Sequence, residues 1–297
     1  MDSIVKNKHL FKDKVVLDVG CGTGILSMFC AKAGAKKVIG VDFSAIIEQA
    51  REIVEINGLS DVVTLVRGKV EEIELPDGIE KVDIIVSEWM GYCLLYESML
   101  DTVLVARDKW LAEDGMLFPD KATMHVAAIE DAEYMSEKID FWNSVYGFDM
   151  SPIRKLAMLE PLVDTVDAGQ LISTNCQILE LDIAKVKVED LAFKVPFEVT
   201  FTRDDYCHAI VCHFDIVFGH CHKPVEFSTG PAAEYTHWKQ TVFYLKQSLV
   251  VKEGEKLKGT FDCRPNGKNH RDLDVTMKYE FKGELGEANF EQEYRLR

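Results

Sequence analysis

The chain has 297 residues, 34 of them basic and 50 acidic, for a net charge of −16. That length allows two domains and a core that needs no disulfide or metal staple. The acidic excess excludes a nonspecific nucleic-acid or anionic-membrane binder, which needs a basic face. Residues 1–150 carry net −12 and residues 151–297 net −4, so a basic ligand is drawn to the first half. The N-terminus lacks the apolar stretch of a secretory signal, and no apolar run approaches the roughly 18 residues of a membrane span. Eight cysteines without a CxxC pair read as reduced thiols of a cytoplasmic or nuclear protein.

Along residues 1–119, strand and helix patterns alternate. Lys14–Val19 is a short apolar strand running into glycines. Gly24–Ala33 has helical spacing with Ile25, Phe29 and Ala33 on one side. Val38–Val41 is a second strand, Ile46–Asn57 a helix, and Val62–Val66 and Val82–Val86 the third and fourth strands. Ser98–Leu111 places Leu100, Val103, Leu104 and Leu111 at helix spacing. This rhythm predicts βαβ units and a parallel sheet. From residue 120 to 297 the pattern changes to β. Val275, Met277, Tyr279 and Phe281 alternate with polar neighbours as in a half-buried strand. Similar runs at Thr123–Ile129, Ala184–Val188, His208–Phe218 and Gln240–Val251 predict a barrel or sandwich. Between them, 141–163 is aromatic and apolar but poorly periodic.

Asp18, Gly20, Gly22 and Gly24 follow the first strand, and Asp42 ends the second. Glycines let the backbone turn tightly against a ligand, and an acid at that strand end hydrogen-bonds ribose hydroxyls. A dinucleotide fingerprint wants a third glycine where Ile25 stands. The DxGxGxG spacing instead resembles the loop of S-adenosylmethionine-dependent methyltransferases. After the third strand, Val70 and Glu71 face the position of an adenine, although Glu71 taken alone reads as one acid on a solvated face. After the fourth strand, Glu88 and Glu97 flank Trp89, Met90, Tyr92 and Tyr96. Two acids in an apolar setting call for a cation, and a guanidinium fits carboxylates bidentately; the bland reading is a pair of surface acids.

The segment SEWMGYCLLYESM resembles the double-glutamate loop of type I protein arginine methyltransferases, and Tyr235-Thr236-His237-Trp238 their Thr-His-Trp loop. The similarity continues through YGFDMS, EPLVD, KVEDL and RPN. It implies a Rossmann-like S-adenosylmethionine domain followed by a β-barrel domain with an inserted helical dimerisation arm at about 141–163. It further implies that Glu88 and Glu97 clamp the substrate guanidinium and leave electron density on the nitrogen that displaces the sulfonium methyl in line. The proton then leaves through Glu97 or His237. Met90 and Met99 flank the acceptor nitrogens, with Tyr92 and Trp238 as further substrate contacts. Gly20, Gly22 and Gly24 hold the cofactor tail, with S-adenosylhomocysteine as product and no metal. Without the resemblance, His237 reads as a buried histidine, and Met90 and Met99 as core. Implied partners are Arg/Gly-rich proteins such as histones and RNA-binding proteins, and a second copy through the arm. Asp42 departs from the family's usual glutamate and is one methylene shorter, which predicts weaker cofactor binding. The family also has an upstream helical segment covering the cofactor, absent from these 297 residues, which predicts slow turnover. The competing readings are a catalytically weak scaffold or regulatory subunit of the same family, and a small-molecule methyltransferase. The histidines and cysteines of 207–222 match no zinc spacing. Strict alternation there pairs His208 with Cys212 on one face and Cys207 with His213 on the other.

Overall fold

In a computed structural model that describes all 297 residues, two short helices, Asp2–Val5 (α1) and Lys8–Phe11 (α2), bury Ile4 and Phe11. They pack against one face of a five-stranded sheet. Its strands are Val15–Val19 (β1), Lys37–Asp42 (β2), Val63–Arg67 (β3), Val82–Val86 (β4) and Leu111–Phe118 (β5). All pairings are parallel, in the order β3-β2-β1-β4-β5. Period-two alternation sends Val16, Val38 and Ile84 to the face of Ile4 and Phe11, and Leu17, Ile39 and Ile85 to the other. Connecting helices are Ile25–Lys32 (α3), Ile46–Ile56 (α4) and Met99–Trp110 (α5). The buried face of α3 is Ser27 and Cys30, with Ile25 exposed, so the expected Ile25–Phe29–Ala33 stripe is shifted. In α5 Leu100, Val103 and Leu104 are buried as expected, but Leu111 lies past the helix end and opens β5. Strand order reverses between β1 and β4, which is where open α/β sheets bind ligands, at the carboxyl ends of the strands.

The β half begins at Lys121–Ile129 (β6). Ala132–Tyr134 (α6) runs into a π-helical turn at Met135–Ile139, and Ser151–Ala157 (α7) follows. The remaining strands are Leu162–Asp164 (β7), Cys176–Asp182 (β8), Phe193–Thr200 (β9), Asp205–Phe218 (β10), Val225–Ser228 (β11), Gln240–Val251 (β12), Lys256–Pro265 (β13), Leu273–Lys282 (β14) and Glu287–Leu296 (β15). One antiparallel sheet runs β7-β12-β10-β6-β8 with β11 on β10, and a second runs β15-β14-β13-β9. Their facing side chains, among them Phe214, Phe243, Phe261, Met277 and Tyr294, join the α5 face of the parallel sheet in one continuous core. The outer face of β6, β10 and β12 is covered by Met135, Ile139 and Met158.

Three further expectations change. Ala184–Val188 is not a strand: β8 ends at Asp182, whose carboxylate accepts from the Ala184 N–H and pairs with Lys185, closing a turn. In β10 the register against β12 shifts between Cys207 and Ala209, and a bulge of this kind reverses the alternation. Cys207 therefore shares the core with Cys212, while the outer-facing His208 accepts from the Asp131 N–H. The helical excursion starts at Ala132 rather than 141, and 162–163 already belong to β7, hydrogen-bonded to β12. Across it Tyr146, Phe148 and Leu156 remain exposed.

Candidate active site

A cavity of about 440 Å³ opens at the carboxyl ends of β1–β4, lined by Gly20, Asp42, Val70, Glu71, Glu88, Met90, Glu97 and Met99 among others. Its volume suits a nucleoside-sized ligand. Gly20 has φ +72°, Gly22 +52° and Gly24 +80°, a left-handed run that L side chains resist. A Cβ on Gly20 would strike the Met99 methyl. At Gly20 the backbone itself forms the cavity wall, open to close approach, while Gly22 and Gly24 stand outside the lining. Gly22 N–H donates to one Asp42 oxygen at 2.9 Å, and Ser44 N–H and Oγ donate to the other at 2.8 and 2.6 Å. The short Asp42 carboxylate is thereby fixed at the cavity edge. Asp18 lies outside the cavity, fully buried, and accepts from Ser27 Oγ at 2.6 Å. Burial pushes its carboxyl up to about 6. The Ser27 bond ties the end of β1 to α3 across the glycine loop. Glu71 accepts from Thr102 Oγ1 at 3.1 Å. Gly20 in the wall, Asp42 fixed at the end of β2, and Val70 and Glu71 along the lining fit S-adenosylmethionine, which has a ribose and an amino-acid tail but no phosphate.

The opposite wall is the segment between β4 and α5. Gly91 N–H donates to Leu94 O at 2.9 Å, and a Cβ at 91 would collide with Tyr96 O. Cys93, Leu94, Glu97 and Ser98 all have φ between +50° and +75°, each costing roughly 1–2 kcal/mol in the left-handed region. Such strain persists where surrounding structure over-determines it, and here the barrel does so. Trp238 Nε1 donates to Met90 O at 2.8 Å, and Glu97 N–H donates to Arg271 O at 2.8 Å. The Cys93 and Cys212 thiols touch at 3.7 Å. Desolvation first, and then the charge of Glu97, pushes the Glu88 carboxyl up to about 7, although its side chain opens into the cavity. Arg271 Nη2 donates to Glu97 Oε1 at 2.8 Å.

Tyr92, His237 and Trp238 lie outside this cavity. Tyr92 stacks on Tyr96 with ring centroids 6.1 Å apart. His237 and Trp238 line an adjoining cleft with Phe227 and Tyr235. His237 is exposed rather than buried, and no hydrogen bond joins it to Glu88 or Glu97. Its ring lies 3.9 Å from that of Trp238. Sequence reasoning missed Arg271, Ser98 and Thr102, all lining the cavity. No three His, Cys, Asp or Glu side chains converge as a metal site.

A profile described as the arginine methyltransferase oligomerization subdomain matches residues 120–284, and a methyltransferase-domain profile matches residues 16–115. Protein arginine N-methyltransferase 1 of Schizosaccharomyces pombe is 64% identical over 280 residues, covering 94% of this chain and 82% of that protein. Its namesake in Caenorhabditis elegans is 56% identical, covering 99% and 85%. Among solved structures, the Trypanosoma brucei PRMT1 enzyme–prozyme heterotetrameric complex with AdoHcy superposes with TM-score 0.96 at 50% identity. It covers 100% of this chain and 93% of that one. Arabidopsis thaliana protein arginine methyltransferase 10 superposes with TM-score 0.88 at 30% identity, with the same coverages.

Proposed function

The chain belongs to the type I protein arginine methyltransferases, and from that premise we propose that Glu88 and Glu97 jointly receive the guanidinium of a substrate arginine. S-adenosylmethionine, when bound, supplies the methyl group on a sulfonium centre. On the cofactor side, Gly20 forms the wall for its amino-acid tail, with Gly22 and Gly24 shaping the loop beside it. Asp42 takes the ribose hydroxyls, and Val70 and Glu71 border the adenine. Arginine stays protonated near neutral pH, so its nitrogens are poor nucleophiles. Two carboxylates on one side draw the positive charge toward themselves and leave density on the accepting nitrogen, an electrostatic stabilisation that is already built before reaction. The methylated nitrogen then gives up a proton, and a carboxylate of the clamp takes it. His237, in the adjoining cleft and bonded to neither acid, borders the substrate chain with Tyr92 and Trp238, while Met90 and Met99 limit room beside the acceptor nitrogens.

The product is asymmetric dimethylarginine, reached through the monomethyl form. The substrates are Arg/Gly-rich segments of histones and RNA-binding proteins, basic enough to be drawn by the net −12 of the first half. Such substrates place the enzyme in cytoplasm and nucleus. The chain carries the family's oligomerisation subdomain. The exposed Tyr146, Phe148 and Leu156 of the helical excursion make its apolar surface the seat of a homodimer contact.

The observation that carries the reading is the meeting of Glu88 and Glu97 with Gly20 and Asp42 in one cavity. Incubation with methyl-labelled S-adenosylmethionine and an Arg-Gly-Gly peptide tests it. Labelled asymmetric dimethylarginine that vanishes in the Glu88→Gln variant supports it. Label that persists in that variant, or appears on lysine, contradicts it.

A further inference from the structure

The turn between β13 and β14 lies 174 residues from the acceptor loop in sequence and touches it in space. Residues 266–272 are braced internally. Asn266 N–H donates to Asp272 O and Asp272 N–H to Asn269 O. The Asn266 amide spans both oxygens of Asp274, and the Asn269 amide donates to Asp272. From this turn four groups reach the acceptor loop and the first turn of α5. Arg271 O accepts from Glu97 N–H, His270 O accepts from Ser98 Oγ, and the His270 imidazole pairs with Asp101 on α5 at 2.6 Å. The Arg271 guanidinium takes only Oε1 of Glu97.

Both partners are half open to water, at 66% and 50% exposure, so the ion pair adds little to stability. Its consequence is geometric. Glu97 sits at φ +75° with its main-chain N–H and one carboxylate oxygen held by the same arginine. We propose that Arg271 is a positioning residue for methyl transfer, reaching from the barrel to hold Glu97 by one oxygen so that the other is presented to the substrate guanidinium. The proposal rests on the reading of Glu97 as an acceptor acid. The same contact has an opposite interpretation: Arg271 occupies the acceptor site as a plug that substrate must displace. The braced turn and the main-chain bond from Glu97 favour a fixed support, because a plug has to leave.

The full chain with Arg271→Ala or Arg271→Lys separates the two. Turnover is read on an Arg-Gly-Gly peptide, and S-adenosylhomocysteine affinity by calorimetry. As a positioning residue, Arg271→Ala lowers kcat about tenfold, the scale expected when a reacting geometry loosens. Cofactor affinity and the unfolding temperature stay unchanged, and Arg271→Lys recovers part of kcat. An unchanged kcat overturns the proposal, as does a rise in kcat/KM for peptide, the signature of a plug. Equal loss of turnover and cofactor affinity in both variants also overturns it, since that marks a purely structural role. An inert wild type removes the acceptor reading and this proposal together. An active wild type with an indifferent Arg271→Ala variant removes this proposal alone.

Discussion

The two walls of the cavity are built in different ways. The cofactor wall is local: Gly20 to Ser44 is shaped by glycines at positive φ and by hydrogen bonds that stay within the parallel-sheet domain. The acceptor wall is not. Its strained segment is pinned by Trp238 from one barrel loop and by His270 and Arg271 from another, across 148 to 174 residues. The difference teaches that the parallel-sheet domain can shape the cofactor pocket by itself, whereas the acceptor geometry requires the barrel to be docked. Damage to barrel loops should therefore lower turnover and spare cofactor binding.

Gly91→Ala disturbs the acceptor side through its backbone. Its Cβ has no room beside Tyr96 O, so kcat falls about 100-fold through misplacement of both acids, while calorimetric affinity for S-adenosylhomocysteine is kept. Trp238→Phe retains the aromatic packing on Phe227 but removes the indole bond to Met90 O. A hydrogen bond contributes about 1 kcal/mol, so kcat drops by several-fold up to about tenfold with cofactor affinity again unchanged. Asp42→Asn tests the other wall. Cofactor affinity weakens by a similar factor of up to about ten, and kcat at saturating cofactor is nearly wild type. The smallest effect is on pH. The clamp needs Glu88 ionised, so kcat/KM for peptide rises with pH through about 7, by about threefold from pH 6.5 to 7.5. A bound guanidinium favours the anion, so the limb seen in kcat lies lower. For folding the same group has the opposite sign. The native state holds a proton that the unfolded chain has released, so the stability contributed by Glu88 falls as pH rises from the ordinary carboxyl range to about 7. A Glu88 titration followed by carboxyl NMR checks both.

Much of the cavity was legible in sequence because its parts sit at strand ends. A glycine run after β1, an acid closing β2 and paired acids after β4 are each contiguous signals, and parallel topology gathers strand ends at one edge. What remained hidden depends on contacts between distant segments. Arg271 lies in a turn whose residues announce only a turn, and its pairing with Glu97 is decided by how the barrel docks. The bulge at Cys207 is a main-chain event that alternation cannot foresee. Asp18 holds its place in the motif, while its carboxylate is buried against Ser27 outside the cavity lining. His237 matched a motif, yet it stands in the neighbouring cleft. The excursion over the outer face of the barrel begins earlier than its aromatic residues suggest, because Met135 and Ile139 are unremarkable in sequence and become core only against β6, β10 and β12.

The central claim is that the acid loop serves the acceptor and the glycine loop serves the cofactor. One preparation of Glu97→Gln, titrated with S-adenosylhomocysteine and assayed for turnover on an Arg-Gly-Gly peptide, tests it most directly. The account predicts cofactor affinity within about twofold of wild type and turnover down about 10³-fold, the scale of losing one preorganised charge. Turnover within tenfold of wild type, or cofactor binding lost together with turnover, would contradict it.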